Sequence, residues 1–458
     1  MIKLKNMTQV MEKLKEEFRG KKVLVVGLGV QGGGVGVIKF LAKLGAKIKV
    51  TDLKTEEQLK ESLSEISHLG IDTVLGKHDV EDFISADIIF KGPSVPWSLP
   101  GIIEAEKRGI PIEMEMSFFS VNCPGKIIGI TGTRGKSTTT MMIYKLMKKN
   151  NFSVYLGGNI PQVSTIALLE TVTANDWVVL ELPSWPLSGF HRKKISPHIA
   201  VFTNFYPDHL NYYKTMDDYL YDKKAIYLYQ KSGDYLVINY SLRNLVEKES
   251  LRSKVIYFSA SDFPMPLKRL LGSHNLENAA ACQKTAEIVG IDFKKAVEFI
   301  SDFNNLPFRQ EVIANKEGVV VINDSASTMP IATIKALETY SGKPIVLILG
   351  GNSKNLPYDE LLSKINQAEK VVLLTGDFTD KILPSLKSKL TDRVRGPFDN
   401  LEEAVLTAYN EAKNLASTRG EKVYLIFSPG ATSFAMFRNE FHRGDEYNKI
   451  IGKILGDE

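Results

Sequence analysis

Short apolar runs alternate with amphipathic segments along almost the whole chain, a pattern typical of β-strand–α-helix units. The runs are rich in Val, Ile and Leu, as expected for strands buried on both faces of a parallel sheet. Helical periodicity separates them, so helices should connect successive parallel strands. The pattern therefore predicts an α/β fold. The clearest strand candidates are residues 23–26, 48–50, 127–130, 176–181, 199–204, 235–239, 319–322, 344–349, 371–374 and 423–427.

The length of the chain, 458 residues, is too great for one hydrophobic core. We predict three α/β domains, at residues 1–118, 119–305 and 306–458. The first and last should be Rossmann-like. The middle one should be a P-loop ATPase-type domain with a mostly parallel sheet. An amphipathic helix over residues 8–19, with Thr8 as its cap, should precede the first strand.

Composition and charge narrow the class of protein. The net charge is +5 and no basic run stands out, which argues against a nucleic-acid binder and leaves room for an anionic small substrate. The two cysteines, Cys123 and Cys282, have no metal-binding spacing and exclude a disulfide framework. We find neither a signal peptide nor an apolar run long enough for a bilayer, so we expect a cytoplasmic protein without a membrane partner.

The most informative segment is residues 127–140, where an apolar run leads through a glycine-containing turn into a helical pattern. Backbone amides and the helix dipole make such a turn a phosphate site. Lys136 would reach the β- and γ-phosphates, and the Ser137 hydroxyl would bind Mg²⁺. The strict P-loop pattern requires a glycine where Ile130 stands. A strand–helix turn without a ligand is the alternative interpretation.

A second glycine turn, Gly27-Leu28-Gly29-Val30-Gln31-Gly32, follows the first predicted strand, and Asp52 ends the next one. This G-x-G-x-x-G pattern is a weak signal. It fits a dinucleotide site, a site for another phosphorylated ligand, or close packing of helix on strand.

Several charged residues follow predicted strands, where ligands of open α/β sheets bind. Glu181 could hold Mg²⁺ or be a strand-end acid, and His209 could be a metal ligand or a capping residue. Arg309 suits a terminal phosphate because its planar fork binds two oxygens. Lys223 lies in a helical segment, where a lysine is normally a solvated surface group. Asp324 follows a strand of the last domain.

Taken in order, these segments are similar to the motifs of the Mur ligases, and the resemblance extends from about residue 21 to the C-terminus. Among the Mur ligases, those that add D-glutamate to UDP-N-acetylmuramoyl-L-alanine are the most similar. The matching segments are GLGVQG (27–32), TGTRGK (131–136), GGNI (157–160), EL (181–182), PDHL (207–210), HNLENA (274–279), PFRQE (307–311), NDS (323–325), GGNSK (350–354) and SPGATS (428–433).

The resemblance implies a role for each domain. The first would bind the UDP-linked sugar through Gly29, Val30, Gln31, Gly32, Thr51 and Asp52, with Asn159 from the middle domain. ATP would contact Thr131, Gly132, Thr133, Arg134, Gly135, Lys136, Ser137, Thr138, Asn278, Arg309 and Asp324. Two Mg²⁺ ions would be held by Ser137, Glu181, His209 and Lys223, the last as a carbamate formed with CO₂. The catalytic set would be Lys136, Glu181, His209 and Lys223, and the amino acid would meet Thr328, Lys354 and Ser433.

The resemblance also implies the reaction. A substrate carboxylate would attack the γ-phosphate of ATP to give an acyl phosphate, and the amino acid's amine would then form the amide in a step of peptidoglycan precursor synthesis. Family members of this type commonly act as monomers on small-molecule substrates, so we expect a monomer without a nucleic-acid partner. A nicotinamide dehydrogenase is a distant alternative that leaves Lys136, Lys223 and Asp324 unexplained. A non-catalytic nucleotide-binding relative is another.

Departures from the family's pattern concentrate where substrates would be recognised. Two prolines, Pro183 and Pro186, stand in a segment that usually carries hydrogen-bonding side chains. Ala326 replaces a lysine near the incoming amino acid, and Glu440 replaces a phenylalanine, which would repel an acidic amino acid if it points inward. A Mur-type ligase with another amino acid or another UDP-linked acceptor, such as a pseudomurein peptide ligase, is therefore the main alternative.

Overall fold

The computed structural model of the chain describes residues 2–30, 32–160, 163–209, 212–270, 272–433 and 436–456. Three β-sheets and the helices between their strands make up this part, which confirms the predicted α/β class. The chain divides into two compact units. The first comprises residues 1–205, 217–264 and 277–300, and the second comprises residues 206–216, 265–276 and 301–458.

The first sheet is fully parallel, with strand order β3-β2-β1-β4-β5. The chain continues from β1 to β2 on one side of the sheet and from β4 to β5 on the other. The loops that follow β1 and β4 therefore diverge and leave a crevice at the carboxyl ends of these two strands. The strands are β1 (Lys22–Val26), β2 (Lys47–Asp52), β3 (Asp72–Leu75), β4 (Ile88–Lys91) and β5 (Ile112–Glu113). The helices are α1 (Ile2–Phe18), α2 (Gly33–Lys43), α3 (Lys60–Ile66), α4 (Val80–Ile84), α5 (Pro100–Lys107) and α6 (Glu115–Asn122).

The second sheet is also fully parallel, with order β11-β10-β9-β6-β8-β7. Its strands are β6 (Lys126–Thr131), β7 (Val154–Gly158), β8 (Trp177–Glu181), β9 (Ile199–Phe202), β10 (Tyr235–Asn239) and β11 (Lys254–Phe258). The helices of this region are α7 (Lys136–Lys149), α8 (Ser184–Lys193), α9 (Met216–Leu228), α10 (Arg243–Val246), α11 (Ser273–Ile288) and α12 (Phe293–Ser301).

These two sheets share one apolar core, which explains why they belong to one compact unit. A single cluster of buried side chains runs from Phe18 and Phe90 beside the first sheet to Leu180 and Phe202 in the second. The ring of Phe118 lies 5.8 Å from that of Phe18 and 5.1 Å from that of Phe90. Helix α6 therefore joins the two layers near the predicted boundary at residue 118.

The third sheet has order β12-β13-β17-β14-β15-β16, and only its edge strand β12 is antiparallel to its neighbour. Separate apolar clusters cover its two faces, as expected for a doubly wound domain. Its strands are β12 (Glu311–Lys316), β13 (Val319–Asn323), β14 (Ile345–Gly350), β15 (Ala368–Leu374), β16 (Val394–Phe398) and β17 (Val423–Phe427). Its helices are α13 (Pro330–Thr339), α14 (Asp359–Lys364), α15 (Asp377–Leu390), α16 (Leu401–Arg419) and α17 (Glu440–Leu455).

Each of the three predicted domain ranges contains one of these sheets, while the exact boundaries stay a prediction. One local prediction was wrong: helix α1 begins at Ile2, so Thr8 lies inside it and does not cap it. Lys and Asn stand between the apolar residues of the first helical turns, so the sequence did not show a helical spacing of apolar residues there. Among the described helices, none is long and apolar enough to cross a membrane.

Candidate active site

The turn between β6 and α7 depends on two glycines. Gly132 has φ +146° and Gly135 has φ +79°, a region that side chains rarely allow. A Cβ on Gly132 would lie 1.9 Å from Thr203 Oγ1, and one on Gly135 would lie 2.2 Å from Asn278 Oδ1. The N-cap of α7 is Gly135, which has no side chain with which to cap the helix. The tight turn thus leads directly into an uncapped helix end, which favours binding of an anion.

Asn204, just after β9, fixes the backbone of this turn. Its carbonyl oxygen accepts from Thr133 N at 3.0 Å, and its Oδ1 accepts from Arg134 N at 2.8 Å. Its Nδ2 donates to Arg134 O at 3.1 Å, and Thr203 Oγ1 donates to the same oxygen at 2.6 Å. The loop is therefore held before any ligand arrives. From the sequence, residue 204 is predicted only as the end of a strand, without this role.

The two predicted catalytic lysines of the first unit meet at Gly132. Lys136 Nζ donates to Gly132 O at 3.1 Å and to Thr133 O at 3.0 Å. Lys223 Nζ donates to Gly132 O at 2.8 Å and lies 3.4 Å from Thr131 Oγ1. The sequence alone favoured a solvated Lys223, but its exposure is 1%, so that interpretation was wrong.

Glu181 ends β8 beside this loop, in register with Ile130 of β6. The residue is 3% exposed, and its Oε2 has no hydrogen-bond partner among the described residues. A buried carboxylate oxygen without a partner is costly, so the position fits a cation. Glu181 and Ser137 stay predicted ligands of Mg²⁺. The described residues contain no group of three or more His, Cys, Asp or Glu suited to a metal.

Asn278 lies behind the loop, where its Oδ1 accepts from Thr139 Oγ1 at 3.3 Å. Thr138 and Thr139 are buried in the first turn of α7. Asn159 follows β7 with an exposed side chain, and its N–H donates to Glu181 O at 2.9 Å. These placements bring the predicted residues of the middle sheet to one edge, while their contacts with ATP or sugar stay predictions.

In the first sheet, Asp52 organises the glycine turn. Its Oδ2 accepts from Gly29 N at 3.0 Å, and its Oδ1 accepts from Lys54 N at 2.9 Å. Thr51 is fully buried and donates through Oγ1 to Lys77 O at 2.9 Å. Asp52 therefore supports the glycine turn from behind, while the side chain of Thr51 is bonded to the segment after β3.

Other predicted sugar-binding residues lie on the turn itself. Val30 is 53% exposed, and Gly32 has φ +85° as the N-cap of α2. Gln31 lies outside the described residues. An exposed apolar side chain beside a glycine turn and a helix N-terminus fits a ligand that combines a ring with phosphate.

In the second unit, Asp324 is a buried carboxylate with several donors. Ser327 Oγ and Ser428 Oγ donate to its Oδ2 at 2.5 and 2.7 Å, and Gln310 N donates to its Oδ1 at 3.0 Å. Burial raises the pKa of Asp324 to about 6, although these hydrogen bonds and the charge of Arg309 oppose the shift. Half-buried Arg309 therefore acts electrostatically on Asp324.

The predicted amino-acid residues Thr328 and Lys354 lie close together, and Lys354 also approaches the His209 segment. Lys354 Nζ is 3.4 Å from Thr328 Oγ1 and 3.5 Å from Asp208 Oδ1. Asp208 Oδ1 accepts from His209 N at 2.8 Å, and Asp208 Oδ2 lies 3.4 Å from His209 Nε2. The sequence did not assign a role to Asp208, which links a predicted metal ligand to a predicted amino-acid residue.

Ser433 and Glu440 complete the predicted recognition residues. Ser433 is 3% exposed, and its Oγ has no hydrogen-bond partner among the described residues. Glu440 begins α17, and its charge acts on buried Arg443 one turn later. Sequence reasoning missed Arg443 altogether. The available signal was its place on the apolar face that continues through Tyr447 and Ile450.

Comparisons with known proteins indicate which family this chain is similar to. The model of the Mur ligase middle domain matches residues 130–265, and the model of the Mur ligase MurD-like N-terminal domain matches residues 21–113. A UDP-N-acetylmuramoylalanine–D-glutamate ligase from Roseiflexus sp. (strain RS-1) is 36% identical, with 95% of this chain and 99% of that protein covered.

Two solved structures show the same fold at low sequence identity. The UDP-N-acetylmuramate-alanine ligase MurC of Thermotoga maritima superposes with a TM-score of 0.60 at 19% identity, covering 96% of this chain and all of that chain. A pseudomurein peptide ligase type C of Methanothermus fervidus gives 0.51 at 18% identity, covering 95% and 100%. At such identities the likeness concerns the fold alone.

Proposed function

Because this chain belongs to the Mur ligase family, and is thus an ATP-dependent acid–amino-acid ligase, we propose that it joins D-glutamate to UDP-N-acetylmuramoyl-L-alanine. The observation that carries the chemistry is the convergence of Lys136, Lys223 and Glu181 on one phosphate-binding turn. The 36% identical relative carries the substrates in its name. The proposal includes the roles predicted for the three domains, which are to bind the UDP-linked sugar, ATP and the amino acid respectively.

The first step activates the acceptor. A carboxylate oxygen of the UDP-linked substrate attacks the γ-phosphorus of ATP, the bond to the β–γ bridging oxygen breaks, and ADP leaves. Carboxylate and triphosphate repel each other, so positive charge must screen them during in-line attack. Lys136 and the amides at the start of α7 supply that charge. Mg²⁺ bound by Ser137 and Glu181 would add Lewis-acid stabilisation of the phosphoryl oxygens.

Lys223 has a proposed second role as a carbamate. Its burial and its position 2.8 Å from Gly132 O place Nζ beside the turn. The Lys223 ammonium would first lose a proton to solvent; the neutral amine would then form an N–C bond to CO₂ and release a second proton. The resulting carbamate anion would replace a cation beside the strand that ends at Glu181, and its oxygens would serve as metal ligands. His209 is proposed as a further ligand. Carbamate oxygens suit this role because Mg²⁺ prefers oxygen ligands.

In the second step, the deprotonated amine of the amino acid attacks the acyl carbon. The tetrahedral intermediate collapses to the amide, and phosphate leaves with the electron pair of the broken C–O bond. Lys354, Thr328 and Ser433 are proposed to orient the amino acid. The positive charge of Lys354 suits a carboxylate, in keeping with an acidic amino acid.

A second candidate is a Mur-type ligase for another amino acid. Ala326, where the family carries a lysine, and Glu440, whose charge lies at the start of α17, both reduce the positive charge available for an acidic side chain. This candidate keeps the same two steps and changes only the amino acid.

The decisive experiment measures phosphate release and product mass with ATP, Mg²⁺, UDP-N-acetylmuramoyl-L-alanine and a panel of amino acids. We expect release with D-glutamate, none when any component is omitted, and none with Lys136→Ala. Lys148→Ala, at an exposed position of the same helix, is the matched control. Phosphate release with another amino acid but not with D-glutamate would identify that amino acid as the substrate. Full activity of Lys136→Ala would overturn the proposal.

A further inference from the structure

His191, near the end of α8, binds α9 through both nitrogens of its ring. The side chain is buried, with 8% exposure. Its Nε2 lies 2.5 Å from Tyr221 O, and its Nδ1 lies 2.8 Å from the hydroxyl of Tyr229. The ring also stacks on that of Tyr221, with the centroids 4.1 Å apart and the planes 10° apart. One side chain of α8 therefore holds both a residue inside α9 and the residue that follows its end.

The two partners fix the position of the proton on this ring. A carbonyl oxygen only accepts, so Nε2 donates to Tyr221 O, and in the neutral ring Nδ1 accepts from the Tyr229 hydroxyl. Burial lowers the pKa of His191, although the hydrogen bond to the Tyr221 carbonyl opposes the shift. The imidazole is therefore neutral at physiological pH, and both of its nitrogens hold α9.

Ser196 attaches α9 to the same connection between α8 and β9. Its Oγ donates to Ala225 O at 2.7 Å and accepts from Tyr229 N at 3.0 Å. These bonds reach the carboxyl-terminal half of α9, which His191 also contacts. The position of that half of the helix is thus set by α8 and the residues after it.

Lys223 lies on this half of α9, two residues after Tyr221. Its Nζ donates to Gly132 O at 2.8 Å in the phosphate-binding turn. Helix α8, which carries His191, follows directly on the strand that ends at Glu181. Mg²⁺ tolerates little variation in the distances to its oxygen ligands, so ligands from separate elements need a fixed spacing. The attachment of α9 to α8 supplies such a spacing between the elements of Lys223 and Glu181.

We propose that His191 is a positioning residue for Lys223: by tying α9 to α8, it holds the Lys223 amine where its carbamate can act as a metal ligand. This inference rests on the proposed function and on the carbamate that belongs to it. The sequence motifs did not single out His191, which acts on the reaction only through α9.

The consequence can be measured on the carbamate itself. Carbamate formation is reversible, so its occupancy depends on the CO₂ concentration and on how well the site stabilises the anion. A displaced Lys223 would stabilise the anion less and would need more CO₂ for the same occupancy. A purely structural role of His191 would lower the amount of folded protein, but it would leave the half-saturating concentration of the folded protein unchanged.

The test titrates the protein with ¹³C-labelled bicarbonate, follows the carbamate signal by ¹³C NMR, and measures kcat at each concentration. Lys223→Arg identifies which signal belongs to Lys223. His191→Phe keeps a ring that can stack on Tyr221 but makes no hydrogen bond. We expect it to raise the half-saturating bicarbonate concentration about tenfold, the scale found for partners that orient metal ligands. Its kcat in air should fall by a similar factor and recover when bicarbonate is added.

Two further variants make the comparison specific. His191→Gln retains an N–H that can donate to Tyr221 O, so its half-saturating concentration should lie closer to that of wild type. His198→Phe is the matched control, because it removes another histidine of this sheet, whose Nδ1 accepts from Ile127 N at 3.0 Å at the amino end of β6. It should lower stability and leave the bicarbonate titration unchanged.

Thermal unfolding identifies variants that do not fold. Should His191→Phe be one of them, Tyr229→Phe decides, because it removes only the partly buried hydroxyl that donates to His191 Nδ1. It should raise the half-saturating concentration in the same direction by a smaller factor.

An unchanged half-saturating bicarbonate concentration in folded His191→Phe, or in Tyr229→Phe in its place, would overturn the positioning role. Failure of the proposed ligase reaction looks different, because wild type would then make no product with any amino acid, while the carbamate signal would still report on His191. A wild type without a carbamate signal that depends on Lys223 would overturn the carbamate and this inference together.

Discussion

Lys223 Nζ donates a 2.8 Å hydrogen bond to the carbonyl oxygen of Gly132, so a helix outside the phosphate loop fixes the residue at which that loop turns. Lys136 Nζ donates to the same oxygen from inside the loop. Two buried or half-buried cations therefore share one neutral acceptor. This arrangement concentrates positive charge where a triphosphate would bind, and it makes the chemical state of Lys223 important for the site.

Replacing Lys223 by Arg should abolish most activity. Arginine keeps the positive charge but cannot form the proposed carbamate, so we expect kcat to fall about 100-fold or more, the scale of losing a preorganised charge. Steady-state kinetics at saturating Mg²⁺ measures this. Lys224→Arg, which alters the neighbouring surface lysine paired with Glu249, is the control. Mass spectrometry of intact wild type should also show the increment of one CO₂, and a fully active Lys223→Arg enzyme would exclude the carbamate.

A second prediction concerns Asn204, whose side chain holds the phosphate loop between β6 and α7. Asn204→Ala removes the side-chain bonds to Arg134 N and Arg134 O, so we expect the free energy of unfolding to fall by about 1–3 kcal/mol and the KM for ATP to rise. Asn204→Asp keeps the acceptor for Arg134 N but sets an oxygen against Arg134 O, so it should be no better than alanine. Urea unfolding and ATP titration check both. Unchanged ATP binding in both variants would show that the loop needs no such support.

The sequence predicted the strands well because buried parallel strands are short apolar runs, whatever their place in the sheet. It could not predict the buried cations, because lysine and arginine are solvated by default. Yet both lie on apolar helix faces: Lys223 falls between Tyr219 and Ile226, and Arg443 leads to Tyr447 and Ile450. A cation at an apolar-face position was the available signal. The approach of Lys354 to Asp208 had no such signal, since residues far apart in sequence meet only through the fold.

Asp324 should make stability depend on pH in an unusual direction. Its folded pKa of about 6 exceeds the ordinary value of 3.8, so between these values the folded state binds more protons than the unfolded state. Its stabilising contribution is complete below pH 3.8 and is lost as pH rises through about 6, by about 3 kcal/mol in total. In Asp324→Asn this component should vanish. Urea unfolding from pH 4 to 7 measures the free energy of unfolding of wild type and of Asp324→Asn. A difference between the two free energies that does not change with pH would contradict the raised pKa of Asp324.

The effect of the negative charge of Glu440 can be tested by a single substitution. It occupies the first turn of α17, where the helix dipole favours a negative charge, and it partly balances buried Arg443. Glu440→Gln should therefore lower stability slightly, by about 0.5 kcal/mol. It should also remove a negative charge that would repel an acidic amino acid, so the KM for D-glutamate should fall several-fold while that for ATP stays constant. Glu446→Gln, one turn beyond Arg443 and paired with Lys449 at the surface, is the control. A KM for D-glutamate that does not respond to Glu440→Gln would place this carboxylate outside the reach of the amino acid, and the choice of amino acid would then rest on Lys354 and Thr328.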